Sequence, residues 1–520
     1  MPTAGAQASQ QGRMGYMDGY YISGYDHYHP NVRMRQTEST NEAERGSSYW
    51  TEEAQWAMAE RLRRLENRNT ARNVIMFLGD GMSVTTLAAA RTLLGQRQGR
   101  NGEETKLSFE AFPTVGLAKT YCVDAQIPDS ACTATAYLCG VKANYGTIGV
   151  TGAVPRHDCS SGTNSSNHVH SIAAWALSDG RDAGIVTTTR ITHASPAGAY
   201  AHTGNRDWES DSDVKAGCDP PVQPDIAYQL VHSHPGNKFK VILGGGRREF
   251  LPDTVIDEEG TRGKRSDGHN LIEDWQKDKE IRNVSYKYVW NREQLQETLN
   301  TQPDYLLGLF EGSHMQYNLQ ANETTEPTLA ELTEAAIKSL GRNEKGYFLF
   351  VEGGRIDHAH HDNYVELALD ETLQLSAAVN RATELTSEED TLIVVTSDHA
   401  HVMSFNGYTH RGGDILGPSD KLGDDEIPYM TLSYSNGPGY RPHVDGKRVD
   451  VTLDEQYGSL EWASHAEVPL DSETHGGEDV AVFAQGPHHH LFSGVYEQSQ
   501  LPHLMAYIAC FGSGTTACDY

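Results

Sequence analysis

The sequence predicts an α/β protein, a three-layer αβα sandwich built on a large, mostly parallel central sheet. Short continuous apolar runs recur along the chain and are typical of strands that are buried on both faces. Segments with helical periodicity, such as residues 329–340, lie between these runs. A chain of 520 residues is also long enough to bury a large core.

The N-terminal part of the chain predicts an extension followed by a helix. Residues 1–46 are rich in Gly, Ser, Gln, Tyr and His and show neither helical nor strand periodicity, so we expect a mobile extension. Residues 49–65 predict a helix that packs Trp50 and Trp56 among charged residues. The main domain is therefore expected to span residues 47–519.

Apolar runs that end at glycine or polar residues predict the strands of the sheet. These runs are residues 73–78, 184–189, 239–243, 347–351 and 391–395, with a last strand at 480–484. Because ligands in parallel sheets collect beyond the carboxyl ends of the strands, we expect a site at that edge. Residues 407–472 are rich in Gly, Pro, Asp and Tyr with weak periodicity, and predict a small inserted, crown-like subdomain.

Composition excludes some classes of partner. The chain has 42 Lys and Arg against 71 Asp and Glu, a formal net charge of −29, which argues against nucleic acid as a specific partner. The same charge would repel an anionic substrate unless bound cations reverse the field locally. No apolar run reaches membrane-spanning length.

The seven cysteines and three glycosylation sequons indicate an extracellular protein. We expect two disulfides, although connectivity cannot be read from spacing, with Cys159–Cys218 and Cys510–Cys518 the suspected pairs. Three free thiols are expected: Cys122, Cys132 and Cys139. The sequons are at Asn164, Asn283 and Asn322. A secreted or cell-surface location is expected, with membrane contact only through a lipid anchor not visible in this sequence.

Residues 346–361 carry the strongest chemical pattern. An apolar run stops at Glu352, two glycines turn the chain, and Asp357 and His361 follow four residues apart, on one face of a helix. A carboxylate and an imidazole, with a third donor from elsewhere, make a zinc site with an open position. On this stretch alone, a solvated His-rich loop is the alternative.

Similar residues follow the other predicted strands. The candidate ligands are Asp80, Glu352, Asp357, His361, Asp398, His399 and His475, with Ser195 as a hydroxyl donor. Four crowded carboxylates would repel one another unless they were protonated or bound to metal. Imidazoles favour zinc for part of this set, whereas the oxygen-only group of Asp80, Ser195 and Glu352 suits magnesium. Two zinc ions and one magnesium ion would make the pocket positive inside an acidic protein.

Ser130 opens a run of Ala and Thr that could form a helix. A serine there is most often an N-cap. The same position also places the hydroxyl beside backbone N–H groups at the positive end of the helix, where an attacking alkoxide and a phosphoryl oxygen are both stabilised. Both interpretations stay open on these residues alone.

The segment around Ser130, residues 126–137, resembles the nucleophile segment of alkaline phosphatases. Six further segments occur in that family's order: residues 77–82, 192–198, 201–208, 351–358, 396–401 and 473–479. The resemblance spans residues 49–519 and is greatest to the animal extracellular members. It implies metal-dependent hydrolysis of phosphate monoesters through a phosphoserine, broad alcohol specificity, an alkaline optimum and a homodimer.

Carried over position by position, the resemblance assigns roles to individual residues. It implies that Ser130 is the nucleophile and that Arg206 holds the phosphate oxygens. The first zinc site matches Asp357, His361 and His475; the second matches Asp80, Asp398 and His399. The magnesium site matches Asp80, Ser195 and Glu352. Outer positions match His193, His358 and His401. A calcium site would fall on the Phe310 carbonyl, Glu311, Glu326, and Glu258 or Glu259.

Two departures and two alternative functions accompany the resemblance. Cys132 stands where relatives commonly have a small residue such as Gly, and residues 1–46 have no recognisable counterpart. One alternative is a phosphodiesterase or sulfatase of the same metalloenzyme superfamily, which Ser130 and Arg206 disfavour. The other is a non-catalytic surface receptor that retains the fold, for which a missing ligand or nucleophile would be expected.

Overall fold

The computed structural model describes residues 41–64, 66–220 and 223–519. The predicted extension, residues 1–46, lies outside these ranges except for residues 41–46, which contain the 3-10 helix Glu42–Arg45. Within the described ranges, the first long helix begins directly afterwards, at Ser47.

In the described part of the chain, ten strands form one central sheet, and five further strands form two small sheets. The strands are β1 Asn73–Gly79, β2 Thr114–Lys119, β3 Asp182–Arg190, β4 Val241–Gly245, β5 Tyr286–Val289, β6 Tyr305–Leu309, β7 Tyr347–Gly353, β8 Thr391–Ser397, β9 Ala400–His401, β10 Met403–Phe405, β11 Leu432–Gly437, β12 Ala466–Pro469, β13 His475–Gly476, β14 Val480–Gln485 and β15 Gly494–Glu497. The order in the central sheet is β15-β2-β14-β8-β1-β7-β3-β4-β6-β5. Only β14 runs antiparallel to its neighbours, so the predicted, mostly parallel sheet is confirmed.

Helices cover both faces of this sheet. Their bounds are α1 Ser47–Arg63, α2 Val84–Arg97, α3 Ser130–Cys139, α4 Ile172–Ser178, α5 Ala194–Ala197, α6 Asp211–Gly217, α7 Ile226–His232, α8 Leu271–Ile281, α9 Arg292–Thr301, α10 Leu329–Leu340, α11 Arg355–His361, α12 Val365–Leu385 and α13 Leu501–Ala509. The predicted helix at 329–340 is therefore present.

Alternation along the strands divides the core into two layers. In β1, Val74 and Met76 pack into one hydrophobic cluster, with α3, α4, α7 and α13. Ile75 and Phe77 point to the opposite face and pack with α2, α10 and α12. Because successive strand side chains alternate between faces, a strand covered on both sides must be apolar throughout. The three-layer αβα sandwich is thus confirmed.

Helix α1 differs from its prediction in how its apolar residues are placed. Trp50 and Trp56 are 55% and 61% exposed, and Met58 and Leu62 are also exposed. The helix has no buried residue. It forms where it was predicted, but its apolar side chains do not pack on the core of this chain.

Residues 407–472 contribute strands to a separate small sheet. Strand β11 pairs with β10 on one side and with β12 on the other. Met430, Val451 and Trp462 form a hydrophobic cluster of their own beside it. Among the described residues, no helix is both long and apolar enough to cross a membrane.

The disulfide count was predicted wrongly. Cys159–Cys218 and Cys510–Cys518 are bonded, as suspected, but Cys122 is also bonded to Cys132. That leaves Cys139 as a buried thiol. The start of α3 brings Cys132 over the end of the β2 segment, with a Cα–Cα distance to Cys122 of 5.8 Å, which a disulfide spans easily. Residue spacing alone could not show this approach.

Candidate active site

Four adjacent strands, β8-β1-β7-β3, deliver the candidate ligands other than His475 to one edge of the sheet, and His475 comes from β13. Gly79 at the end of β1 lies opposite Gly353 of β7 and Ser397 of β8. Asp80 therefore follows β1 at the level where Asp398 follows β8. The predicted site at the carboxyl edge is where the structure places these residues.

The first group of donors surrounds Asp357. Its Oδ1 lies 2.7 Å from His401 Nε2 and 3.3 Å from the Nε2 atoms of both His361 and His475. The Nε2 atoms of His361 and His475 are 3.1 Å apart. The imidazole nitrogens of His361 and His475 beside one carboxylate oxygen are donors that suit zinc.

Backbone carbonyls fix the orientation of two of these rings. His361 Nδ1 lies 2.6 Å from the carbonyl oxygen of Glu473, and His475 Nδ1 lies 2.7 Å from that of Pro128. Each Nδ1–H therefore donates to a carbonyl, which leaves Nε2 free to face Asp357. Pairing of β9 with β13 sets His401 opposite His475.

The second group consists of Asp80, Asp398 and His399. His399 Nε2 lies 3.1 Å from Asp398 Oδ2 and 3.4 Å from Asp80 Oδ1, and all three side chains are fully buried. The backbone N–H of Gly81 donates to Asp398 Oδ1 at 2.9 Å. The ring of His399 stacks on His475 with centroids 3.5 Å apart, which joins this group to the first.

The third group is mainly oxygen donors. Donor atoms of Asp80, His193 and Glu352 lie within 4.8 Å of one another. Glu352 Oε2 accepts hydrogen bonds from the hydroxyls of Thr187 and Thr189, which fixes the carboxylate at the end of β7. Ser195 is fully buried on α5.

Unpartnered buried atoms show that this edge suits cations. Both carboxylate oxygens of Asp80, Ser195 Oγ, Glu352 Oε1 and Asp398 Oδ2 are buried without a hydrogen-bond partner. Buried polar groups are normally satisfied, and an unpaired buried carboxylate is costly. The residues present therefore fit divalent cations, with nitrogen donors in the first two groups and oxygen donors in the third.

Burial and the close approach of the carboxylates also shift the pKa values of the candidate ligands in the metal-free protein. Burial raises the pKa of Asp80 well above its ordinary value, and neighbouring Asp398 raises it further. Burial likewise raises the pKa of Asp398, and that of Glu352 to about 7. For Asp357, burial would raise the pKa, but the imidazoles of His361 and its neighbours outweigh it and hold the pKa well below its usual range.

Ser130 is the first residue of α3 and lies beside the second group. Its side chain is 1% exposed, and Oγ is 3.2 Å from His399 Nε2. The N-cap is the preceding residue, Asp129, whose carboxylate accepts from the N–H of Cys132. The N-cap interpretation of Ser130 is therefore wrong, and its hydroxyl is left to face the donor groups.

Arg206 is held beside Ser130 by the same N-cap. Its Nη1 donates to Asp129 Oδ2 at 2.9 Å, and its Nη2 contacts His193 Nε2 at 3.2 Å. Burial would lower the pKa of Arg206, but Asp129 outweighs it, so the guanidinium stays charged. One carboxylate thus caps the helix that begins at Ser130 and orients the neighbouring cation.

His193 and His358, expected as outer residues, belong to a cluster of three histidines completed by His314. His358 Nδ1 contacts Arg355 at 2.8 Å, and both nitrogens of His314 face Arg190. Burial and the neighbouring guanidiniums lower the pKa of all three, that of His358 to about 3. Since cations already face this cluster, we interpret it as a neutral wall of the pocket.

The expected calcium residues lie together but form no tight donor group. Burial, with Glu311 nearby, raises the pKa of Glu326 to about 8, and Glu326 accepts from the N–H of Gln316. Glu259 is paired with Arg247 at 2.8 Å, while Phe310 is buried. In the described ranges, the convergent sets of three or more His, Cys, Asp and Glu donors do not include Glu311 or Glu326.

Sequence patterns did not indicate three residues that shape the site: Asp129, His314 and Glu473. Glu473 accepts from the N–H of Val402 at 2.7 Å and contacts His401 Nδ1. Burial would lower the pKa of His401, but Glu473 and Asp357 outweigh it and raise it to about 10. The one sequence signal that pointed to Glu473 was its position, two residues before the candidate ligand His475. His314 had none, because no predicted strand end precedes it directly.

The comparisons with known proteins point to one family. The family described as Alkaline phosphatase matches residues 71–511. A membrane-bound alkaline phosphatase of Bombyx mori is 62% identical over 502 residues, covering 95% of this chain and 91% of that protein. The tissue-nonspecific isozyme of Homo sapiens is 48% identical over 490 residues, covering 92% and 91%.

Solved structures share the fold at low identity. An alkaline phosphatase from the Antarctic bacterium TAB5 superposes with a TM-score of 0.58 at 20% identity, covering 86% of this chain and 100% of that one. The alkaline phosphatase of Thermus thermophilus gives 0.59 at 21% identity, covering 87% and 96%. Family match, close relatives and architecture agree, and the chain belongs to the alkaline phosphatase family, whose members are phosphoric monoester hydrolases.

Proposed function

We propose that this chain hydrolyses phosphate monoesters through a phosphoserine formed at Ser130, with two zinc ions and one magnesium ion per subunit. The observation that carries the proposal is the position of Ser130 Oγ, buried 3.2 Å from His399 and on the same helix start as the cap that orients Arg206. A nucleophile and an anion-binding guanidinium thus face one cluster of metal donors.

The donor groups match the proposed ions by chemistry. Asp357, His361 and His475 would hold one zinc ion, and Asp80, Asp398 and His399 the other. Asp80, Ser195 and Glu352 would hold magnesium. When bound, these ions supply positive charge that stabilises the attacking and leaving oxygens and lowers the pKa of hydroxyl groups.

The chain's own residues perform the transfer. Ser130 Oγ loses its proton and attacks phosphorus, the bond to the alcohol oxygen breaks, and the alcohol leaves with a proton. Arg206 donates two hydrogen bonds to non-bridging phosphoryl oxygens, a bidentate task to which its planar group is suited. The N-terminal N–H groups of α3 add positive potential at the same place.

In the second step, water hydrolyses the phosphoserine. Water attacks phosphorus, the bond to Ser130 Oγ breaks, and the serine regains its proton as inorganic phosphate leaves. Because the named contacts all address the phosphoryl group, broad specificity for the alcohol follows. Tight product binding by Arg206 and the cations should weaken as pH rises, which is the reason we propose an alkaline optimum.

A monoester is favoured over the alternative substrates. Arg206 beside Ser130 is placed to bind a terminal phosphoryl group with free oxygens, whereas a diester has one oxygen fewer to offer. All predicted ligands and the nucleophile are present, which disfavours a non-catalytic receptor. Comparing kcat/KM for a phosphate monoester, a phosphate diester and a sulfate ester tests this: the monoester should be preferred by at least about tenfold, roughly one lost charged hydrogen bond.

We further propose an extracellular homodimer. The exposed apolar side chains of α1 support a partner subunit. Sequons at Asn164, Asn283 and Asn322 are all exposed, and three disulfides fit an oxidising compartment. A lipid anchor belongs to the same proposal, whereas a calcium ion at Phe310, Glu311 and Glu326 stays a prediction from the resemblance, because these residues form no tight donor group.

Two experiments test the central proposal. Ser130→Ala should abolish monoester hydrolysis while the protein still binds its metals, since Ser130 belongs to none of the proposed metal sites. Chelation should abolish activity, and stepwise return of zinc and then magnesium should restore it. Monoester hydrolysis by Ser130→Ala would refute the nucleophile assignment, and full activity after complete chelation would refute metal dependence.

A further inference from the structure

The segment that carries Ser130 is closed into a ring by a disulfide. Cys122, just after β2, is bonded to Cys132 in the first turn of α3, at a sequence separation of 10. Both cysteines are 2% exposed, so a reducing agent does not reach the bond readily. Cys132 is also the position at which this chain departs from the family pattern. The ring is therefore a buried covalent constraint on the segment that carries Ser130.

The outer half of the ring, residues 123–127, has few buried side chains. Val123 and Ile127 are 56% and 48% exposed. The Val123 N–H donates to the carbonyl of Ala143 at 3.0 Å, and the carboxylate of Asp124 accepts from the N–H of Tyr145 at 2.8 Å. Ala125 packs beside Cys122, Cys132 and Ala143, but the other side chains of this half are exposed, so the covalent link supplies most of the constraint.

The inner half of the ring, residues 128–131, contacts both sides of the proposed phosphate site. Asp129 accepts from the N–H of Gly146 at 2.9 Å and from Arg206 Nη1 at 2.9 Å. The carbonyl of Pro128 accepts from Nδ1 of His475 at 2.7 Å. A shift of residues 128–130 would therefore move Ser130, Arg206 and an imidazole of the metal centre together.

We propose that the Cys122–Cys132 disulfide positions residues 128–130 for phosphoryl transfer, acting through Asp129 on Arg206. The inference rests on the function proposed for Ser130. A ring of this size limits the conformations of the turn, so Ser130 and Arg206 meet the same phosphoryl group without reorganisation. The cysteines are positioning residues and do not touch the substrate.

The C-terminal disulfide offers a matched control. Cys510–Cys518 closes a ring of similar size, with a separation of 8, and does not contact the donor groups. Both double variants, Cys122→Ser with Cys132→Ser and Cys510→Ser with Cys518→Ser, should lower Tm, because each loses a cross-link. Kinetics are then compared for the metal-loaded proteins at a temperature well below both Tm values.

Only the first variant should lose function. We expect its kcat/KM for a phosphate monoester to fall about tenfold, and its Kd for inorganic phosphate, measured by calorimetry, to rise about tenfold, as for misplacement of one bound guanidinium. The control variant should stay within about twofold of the parent in both. In an Arg206→Ala background the loss should largely disappear, because the disulfide acts through that residue.

Three results would overturn the inference. The first is a phosphate Kd and kcat/KM for Cys122→Ser with Cys132→Ser that match those of the control pair. The second is full additivity with Arg206→Ala. The third is a peptide map of the unreduced parent protein that lacks the Cys122–Cys132 link, a result that needs no variant. If the serine pair fails to fold, Cys122→Ala with Cys132→Ala keeps the buried site apolar and is measured instead.

Failure of the proposed function gives a different result. Hydrolysis retained by Ser130→Ala would refute the assignment of Ser130 as the nucleophile, whatever the disulfide variants show. An inactive Ser130→Ala beside an unaffected Cys122→Ser with Cys132→Ser refutes only the positioning role.

Discussion

Asp129 Oδ2 lies 2.9 Å from Arg206 Nη1, while the other oxygen of the same carboxylate caps the helix that begins at Ser130. One side chain thus fixes both the proposed nucleophile and the group proposed to hold the phosphate. Small changes at Asp129 should therefore affect phosphate binding more than overall stability.

Asp129→Asn tests that relationship. Asparagine keeps the N-cap through its one carbonyl oxygen, so its NH2 group replaces the oxygen that faces Arg206, and the hydrogen bond from Nη1 is lost together with the charge. We expect kcat/KM to fall about threefold to tenfold, and Tm to change little, because Asn and Asp are comparable N-caps. An unchanged kcat/KM with a normal Kd for phosphate would show that Asp129 does not orient Arg206.

Arg206→Lys should be a poor substitute for arginine. Lysine keeps a positive charge but cannot form the planar pair of hydrogen bonds to two phosphoryl oxygens. We expect kcat/KM to fall about tenfold or more, with weaker inhibition by inorganic phosphate, measured as Ki. Parent-like inhibition by phosphate in this variant would contradict bidentate binding.

Stability of the metal-free protein should depend on pH through Glu352. Its pKa is raised to about 7 from an ordinary value of 4.5, chiefly by burial, so the folded protein binds a proton that the unfolded chain has released. The contribution of Glu352 to the stability of the metal-free protein should therefore fall as pH rises from 4.5 to 7, by about 3 kcal/mol.

Urea unfolding of metal-free protein at pH 5 and pH 7.5 measures this dependence. Glu352→Gln cannot ionise and should reduce the slope, while Asp80 and Asp398, whose pKa values are also raised, keep part of it. An identical pH slope in the variant and the parent would contradict the assignment.

The exposed face of α1 should join two subunits. Met58 and Leu62 lie one turn apart and are 54% and 85% exposed. Met58→Ser with Leu62→Ser should shift the protein from dimer to monomer in light scattering. Ile281→Ser, at an equally exposed residue of α8, serves as the control and should not change the mass. A dimer that survives the α1 changes with unaltered Kd would place the interface elsewhere.

Sequence alone predicted the sheet well, and it predicted the edge at which the candidate ligands meet, for identifiable reasons. Strands buried on both faces are apolar throughout, so β1, β7 and β8 were visible as uninterrupted runs. Candidate ligands such as Asp80 and Asp398 follow those runs directly, and parallel strands bring their ends together. Local pattern was sufficient for these elements.

Elements whose placement depends on tertiary contact were missed. Cys122 meets Cys132 only because α3 begins at Ser130, and Glu473 meets His401 only because β9 pairs with β13. His314 reaches His358 from a loop after β6, with a ring-centroid distance of 4.3 Å. No sequence period reports such approaches. The exposure of the apolar residues of α1 was not predicted either, because the residue pattern alone does not show whether a helix face meets the core.

The proposed phosphoserine at Ser130 can be detected by acid quenching of the enzyme during turnover of a phosphate monoester, followed by peptide mass spectrometry. Acid preserves a phosphate ester of serine while it unfolds the protein. Phosphate should be found on the peptide that contains Ser130, and on that serine alone. No phosphorylated peptide should be found after Ser130→Ala is quenched in the same way. Turnover without any phosphorylated peptide, or with phosphate on a different residue, would contradict this proposal.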